Sequence, residues 1–449
     1  MTAQQQPDKT GPLILQRRFL PMWAAFSLGV FADNMLRQAL LIGVTFGYIT
    51  LNGIPDGLDV PIIGALFALS MLTFSSIAGQ FADKYETSFL FRRTKFIEML
   101  IMITAAIGFF IDSGMLIVVS LFAMGAQSAF FSPARIGSMP KYFSTNELIK
   151  ANGLFSAALF VSINLGLLLG GMLVARQGGG AVVSCFLIVA SVVGWLAARY
   201  APKAAATAPD LQIDWNFIRQ GATIFKFAFS AAGVVRPMLG YALFYFMSTL
   251  ITVLVTVYVP QDLNANEGVA NLIMLLFTFG AGLGAIGATF LAKGRSGLGA
   301  ATIGVGAAGV MTLVIIALSS SAASPVDGGT VSSLLSKPAG VALIGSFVLS
   351  AVCMGLFIVP LQAAIQRRAP EAQRSRIMAA GNMLNAGAAV IGSLSVAVVT
   401  LTNLTATNAF FIVAALQFTI AAYMFRRRKM VKPDLYDEAL IEKSLAKEA

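Results

Sequence analysis

The chain has 449 residues, 57% of them hydrophobic and only 11% charged, with a mean hydropathy of +0.81 and a formal charge of +11. A soluble protein of this length cannot hide so much apolar surface and still show water enough charge, so a soluble enzyme is excluded. Histidine is absent, which removes His-based acid–base chemistry and His metal sites. Neither catalytic residues nor a cofactor are expected.

In chain order, apolar runs long enough to cross a bilayer fall roughly at 19–46, 61–80, 96–110, 113–131, 148–173 and 180–198, then at 237–259, 271–292, 298–317, 340–364, 377–401 and 406–425. The third and fourth almost merge around Asp112. Each is too long and uninterrupted for a barrel strand, which alternates over about ten residues. The fold class is therefore an all-α polytopic membrane protein with twelve transmembrane helices. The opening MTAQQQPDKTGPLILQRR is not read as a cleavable signal, because the apolar run after it is too long. Cys185 and Cys353 lie inside runs, so neither a disulfide framework nor a thiolate metal site is expected.

Apart from Arg37, Arg176 and Lys337, every Lys and Arg falls at a terminus or about an even-numbered gap, whereas the odd gaps carry Asp56, Asp59, Asp262, Glu267 and Asp327. That bias places both termini in the cytoplasm. The positive charge reads as membrane orientation and attraction to anionic lipid, not as nucleic-acid binding, for which no solvent-facing basic domain is long enough.

The longest polar stretch separates six runs from six. The expected organisation is a bundle over 1–200, a cytoplasmic linker over 201–236, a second bundle over 237–425 and a cytoplasmic tail over 426–449. The linker opens APKAAATAPD, which suits a flexible tether. Its continuation sets Leu211, Trp215, Ile218 and Ile224 among Asp214, Arg219 and Lys226, either an interfacial helix or an ordinary linker with buried anchors. Six plus six about a cytoplasmic linker is how transporters of the major facilitator class are built. Small residues at four-residue spacing, Gly166 and Gly170, then Gly280, Gly284 and Ala288, mark faces where helices approach closely.

Charges inside spans are costly, about 2.5–3.5 kcal/mol each on insertion scales, and call for a reason. FADNMLRQAL carries Asp33 and Arg37 four residues apart on one helical face, flanked by Asn34 and Gln38. They form either a structural ion pair or a cavity site in which Arg37 receives an anionic headgroup while Asp33 orients it or binds a coupling cation. Glu98, three residues after Lys95, serves either a gate or coupling role or a helix-end salt bridge. The second half holds no intramembrane charge and offers Gln362, Gln366, Asn382 and Asn385. A charged wall facing an amide or apolar wall suits an amphiphile.

GQFADKYETSFLFRR follows the second run. Gly79 allows close packing, Asp83 can accept from a helix N-terminus, and Lys84, Arg92 and Arg93 supply inner-face charge. With Lys95 and Arg135 these form the expected gating set. The pattern resembles the Gly-x-x-x-Asp-Lys/Arg loop of the major facilitator superfamily, with a longer spacing from Asp83 to Arg92 than is usual there.

A narrower resemblance runs the length of the chain. FADNMLRQAL, GQFADKYETSFLFRRTKFIEM, SAFFSPARIGSMPKYFSTNELIKANGL and GLFIVPLQAAIQRRAPEAQRSRIMAAGNMLNA are similar to segments of the bacterial lysophospholipid transporters. Pro133, Arg135, Gly137, Pro140, Glu147, Leu148 and Asn152 fall where that family has Pro, a basic residue, Gly, Pro, Glu-Leu and Asn. The departures are PMLGYALFYF at the seventh run, Gly381-Asn382 in place of two asparagines, and Gln362 where tyrosine is common. The resemblance implies two six-helix bundles that move lysophospholipid, in the first place lysophosphatidylethanolamine, across a bacterial inner membrane to the cytoplasmic leaflet by alternating access. It implies substrate contacts from Asp33, Asn34, Arg37, Gln38, Glu98, Asn152, Gln362, Gln366, Asn382 and Asn385, and Asp33 and Glu98 as the acids for any coupling to H+ or Na+. Implied partners are membrane lipids and, functionally, a lysophospholipid acyltransferase; a monomer is expected. The alternative is a major-facilitator carrier of another amphiphile, drug or small solute.

Overall fold

Each expected run becomes one helix of the computed structural model, which describes residues 12–430 apart from 56, 217–218, 224–225, 227–232, 292–297, 369–373 and 403. The helices are α1 (Leu20–Thr45), α2 (Asp59–Lys84), α3 (Thr87–Phe110), α4 (Gly114–Tyr142), α5 (Thr145–Val174), α6 (Gly179–Arg199), α7 (Val235–Gln261), α8 (Glu267–Leu291), α9 (Leu298–Ala322), α10 (Pro338–Arg368), α11 (Arg374–Leu401) and α12 (Ala406–Met430). Among the described residues the short elements are a 3-10 turn at Leu13–Leu15 before α1, a helical stretch at residues 219–223 in the linker and a helical turn at Val331–Leu335.

Several helices outrun their apolar stretches. α3 starts at Thr87 rather than 96 and α4 continues to Tyr142 rather than 131. Arg92, Arg93, Lys95, Arg135 and Lys141 therefore stand on helices and not in gaps. Long basic side chains permit this, because their stems lie along apolar surface while the charged heads reach polar surroundings. Arg93 stacks on Phe89 at 5.4 Å and Arg92 Nε donates to Ser88 O at 3.2 Å. Asp112, where two runs nearly merge, adopts φ +51°, a left-handed turn that ends α3 and lets α4 begin.

By length and composition, ten of these helices can cross a membrane, all but α1 and α3. Those two are 26 and 24 residues long, and they hold the interior charges Asp33, Arg37, Lys95 and Glu98. The molecule is a multi-pass membrane protein, and α1 and α3 carry these four interior charges.

The chain divides into two compact units. One holds residues 1–55 and 66–220, the other residues 56–65 and 221–449. Within the first, α1 packs on α4, α5 and α6, and α3 packs on α4 and α6. Within the second, α7 packs on α10, α11 and α12, and α9 packs on α10 and α12. Every principal pairing of the first unit recurs with all helix numbers raised by six. No sequence identity between the halves is evident, so the repeat is one of packing. The first core gathers Phe19, Met22, Phe26, Phe91, Phe131 and Phe155, and one core of the second gathers Met247, Met354, Phe357 and Leu361.

The small-residue faces are real contacts. A Cβ at Gly170 would lie 2.4 Å from Met35 O of α1, and one at Gly284 would lie 2.0 Å from Val352 O of α10. Backbone cannot yield as a side-chain tip can. Gly284→Ala should thus push α8 from α10 and lower stability by about 1–3 kcal/mol, read as a lower melting temperature in detergent. An unchanged melt would show that α8 and α10 do not approach so closely. Gly79, expected to serve close packing, has open space where a Cβ would go, so contact with a neighbour is not what requires it.

The linker is not the flexible tether its Ala and Pro content suggests. Tyr142 Oη donates to Pro202 O at 2.7 Å, Thr87 N to Ala204 O at 3.1 Å, and Lys141 Nζ to Ala205 O at 2.7 Å. Thr207 N and Ala208 N both donate to the main-chain carbonyl of Asp83, at 3.0 and 2.8 Å. Gln80 exchanges two bonds with the backbone of Asp214, at 2.8 and 3.2 Å. Residues 202–214 are strapped onto the ends of α2, α3 and α4, because an extended segment must place its backbone donors and acceptors somewhere. Trp215 is 67% exposed and meets Phe81 edge-on at 5.9 Å. Residues 211–216 are not helical, whereas residues 219–223 are; Ile218 and Ile224, expected on an interfacial helix, lie outside the described residues.

A latch closes the same end of the first unit. Ser144-x-x-Glu147 forms a capping box at the start of α5, and Glu147 is also clasped by Arg18, whose Nη1 donates to Glu147 Oε2 at 3.0 Å and to Tyr142 O at 2.9 Å. The Arg18 hydrogen bond, then the Ser144 N–H, hold the Glu147 carboxyl below its ordinary 4.5, at about 2. A carboxylate lowered on folding stabilises above its unfolded value, and that contribution disappears as pH falls through the folded value. Glu147→Gln should therefore melt below wild type at neutral pH. The gap should close between about pH 4.5 and 2; a gap that persists in full at the acid end would show that Glu147 acts through shape and not charge.

Candidate functional site

The polar centre of the first unit is assembled from α1, α3 and α4. Lys95 and Glu98, three residues apart on α3, pair at 2.6 Å, and both are 1% exposed. This is no helix-end salt bridge: the pair lies in the interior. α1 makes room with Gly29, where a Cβ would stand 2.3 Å from Lys95 Nζ and 3.3 Å from each Glu98 oxygen. Lys95 Nζ also sits 4.7 Å from the Phe131 ring centroid, and the ring face favours the cation. Gln127 of α4 completes the group, its Nε2 donating to Glu98 Oε2 at 3.1 Å and to Thr94 O at 3.2 Å.

One turn along α1 from Gly29 stands Asp33. Its Oδ2 accepts from Ser128 Oγ of α4 at 2.9 Å. The expected ion pair with Arg37 is not made. Arg37 Nη2 turns to Asn34 Oδ1 at 3.3 Å, and Asn34 Nδ2 donates back to Val30 O at 2.8 Å. The four-residue spacing places both charges on one face, but Ser128 and Asn34 offer each a partner that helix periodicity cannot show. Two carboxylate oxygens, Asp33 Oδ1 and Glu98 Oε1, are buried with no hydrogen-bond partner among the described residues. Buried acceptors left open are costly and point to a visiting donor or cation.

The layers run in antiparallel register. Asp33 meets Ser128, Gly29 meets the Lys95–Glu98 pair under Phe131, and Phe26 meets Arg135. Gly29, Phe26, Gln127, Ser128 and Phe131 were not singled out by sequence reasoning. Ser128 and Phe131 fall within the SAFFSPARIG segment, and the polar pair Gln127–Ser128 stands out within the apolar GAQSAFF.

Other expected residues are dispersed. Gln38 is 1% exposed, whereas Asn152 is exposed. Asp83 is exposed and contributes its main-chain carbonyl to the linker strap; Lys84 lies over the Tyr85 ring at 5.9 Å. In the second unit Gln362 is half-buried, Asn382 is exposed, and Asn385 is 5% exposed with Oδ1 unpartnered. The side chains of Gln366, Pro140 and Leu148 lie outside the described residues, as do Lys293, Arg295 and the tail beyond 430. Buried polar groups of this unit pair as neutral groups, Tyr258 with Ser319 at 2.7 Å and Thr312 with Gln417 at 2.8 Å.

Two units built on one packing plan, with charge buried in the helices of one, define a membrane protein of the transporter class. The chain belongs to the Major Facilitator Superfamily, whose sequence profile matches residues 22–326, more than half its length. It is similar to the lysophospholipid transporter LplT of Citrobacter koseri, 26% identical over 58% of this chain and 62% of that protein. The same transporter of Escherichia fergusonii is 27% identical over 54% of this chain and 57% of its own length. The match thus spans less than two thirds of either relative. Among solved structures, the POT family transporter PepTSo shares the fold at a TM-score of 0.67 with 13% identity, covering 92% of this chain and 98% of that one.

Proposed function

We propose that the protein is a secondary transporter of lysophospholipid, moving it across a bacterial inner membrane to the cytoplasmic leaflet by alternating access, with both termini in the cytoplasm. The observation that carries this reading is the open carboxylate oxygen of Asp33 on the same face as half-buried Arg37. An ammonium-bearing phosphate headgroup presents one donor cation and one anion, and these two residues match it in sign. Similarity to the LplT proteins supports the same substrate class. Lysophosphatidylethanolamine has that headgroup. Asp33 and Glu98 are the acids that would carry H+ or Na+ coupling, Asn34 and Gln38 supply neutral contacts, and Asp83 with its basic neighbours serves the inner gate. The product is a substrate for reacylation, which links the carrier functionally to an acyltransferase.

The test is a proteoliposome assay following lysophosphatidylethanolamine, diacyl phosphatidylethanolamine and a cationic amphipathic drug side by side. Movement of the lysolipid alone is the expected result. Equal movement of the drug would reassign the substrate, and no movement of the lysolipid would end this reading.

A further inference from the structure

Arg135 is charged, lies within a membrane-spanning helix and forms neither a hydrogen bond nor an ion pair through its side chain among the described residues. Its guanidinium carbon is 4.4 Å from the centroid of Phe26 on α1 and 5.2 Å from that of Phe155 on α5. Both rings are buried, at 8 and 3% exposure. Arg135 Nε is itself buried and unpartnered. Arg18 shows the contrast, satisfied by Gln16, Tyr142 O and Glu147.

The two rings meet each other edge-on at 5.4 Å and lie on one side of the guanidinium, and they cannot accept the N–H groups along its edge. That edge is a fork shaped for two oxygens of one anion, and no carboxylate among the described residues fills it. Arg135 is also only half-buried, so the fork can be reached. Phe26 lies seven residues from Asp33 on α1, and Arg135 lies seven from Ser128 on α4. At 1.5 Å per residue the fork stands about 10 Å from the Asp33–Ser128 layer, too far for one small headgroup to occupy both at once.

We infer that Arg135, held against Phe26 and Phe155, is a second anion station that takes the phosphate of the substrate headgroup at a different stage of its passage from the Asp33–Arg37 layer. Residue 135 then belongs to substrate handling and not to the gate. The inference rests on the proposed phosphate-bearing substrate, although the fork would accept any phosphate ester or free phosphate by the same chemistry.

The experiment uses the full chain in nanodiscs with 15N-labelled arginine, observing the Nε–H cross-peak of Arg135. Arg135→Gln removes that peak and so assigns it; if this variant does not fold, Phe26→Leu assigns it through loss of the ring current. The probes are lysophosphatidylethanolamine, water-soluble glycerophosphoethanolamine, inorganic phosphate and monoacylglycerol. The lysolipid should move the peak downfield and monoacylglycerol should not. Arg135→Gln and Arg135→Lys should each weaken lysolipid binding about tenfold or more, with monoacylglycerol binding unchanged, because an ammonium supplies neither the fork nor the stacked plane. Lysolipid binding with an unmoved Arg135 peak, or with full affinity in Arg135→Gln, overturns the station and leaves the proposed function standing. A peak moved only by inorganic phosphate or glycerophosphoethanolamine upholds the station and defeats the lysolipid reading. No response to any phosphate probe defeats both.

Discussion

Asp33→Asn should cut lysolipid transport about 10- to 100-fold while leaving the protein folded. Asn has the same shape, and Ser128 Oγ can go on donating, now to the amide oxygen, so the α1–α4 contact at 2.9 Å survives. What disappears is the negative charge at the open oxygen. A hydrogen bond to a charged group contributes about 1.5–3 kcal/mol, which sets the expected range if the visiting headgroup or cation binds there. Transport by proteoliposomes and melting of the same preparation separate chemistry from folding. Wild-type rates in well-folded Asp33→Asn protein would remove Asp33 from both recognition and coupling.

The largest stability effect belongs to Lys95. Lys95→Met leaves Glu98 buried at 1% exposure with only the Gln127 amide as partner. Removing one member of a buried ion pair costs about 3–5 kcal/mol, because the other charge stays desolvated without compensation. The single variant should melt far below wild type. The double variant Lys95→Met, Glu98→Met should recover much of that loss, since packed apolar side chains replace a buried pair at little or no cost. Its transport, by contrast, should stay impaired if Glu98 has a coupling role. Equal destabilisation by the single and double changes would show that the α1–α3–α4 packing depends on shape at position 95 and not on the pair.

Much of the architecture is legible in the residue order, because a bilayer leaves a helix few alternatives. Every backbone donor and acceptor must be satisfied within the segment, so an apolar run of about 20 residues is a helix before any neighbour is considered. The resemblance in FADNMLRQAL and the segments after α2 and α3 also placed attention on α1, α3 and α4, where the buried charges lie. Helix ends were less legible. Residues 87–95 and 132–142 are too polar to register as span, yet they remain helical, with Arg92, Arg93 and Lys141 exposed at the helix ends.

Charge, periodicity and small-residue spacing thus determined by themselves that this is a twelve-helix membrane protein, that α1 and α3 carry interior charge, and that the glycine faces of α5 and α8 pack closely. These are local properties, fixed by the cost of placing a backbone group or a charge in hydrocarbon. Tertiary structure alone decided who meets whom. It gave Asp33 to Ser128 instead of Arg37, set the Lys95–Glu98 pair against Gly29, strapped the linker to Asp83 and Gln80, and closed two rings over Arg135. The reason is that a partner in lipid is chosen by the register between helices. That register comes from the interlocking of whole surfaces, such as Gly166 and Gly170 of α5 against the backbone of α1, and no single segment contains it.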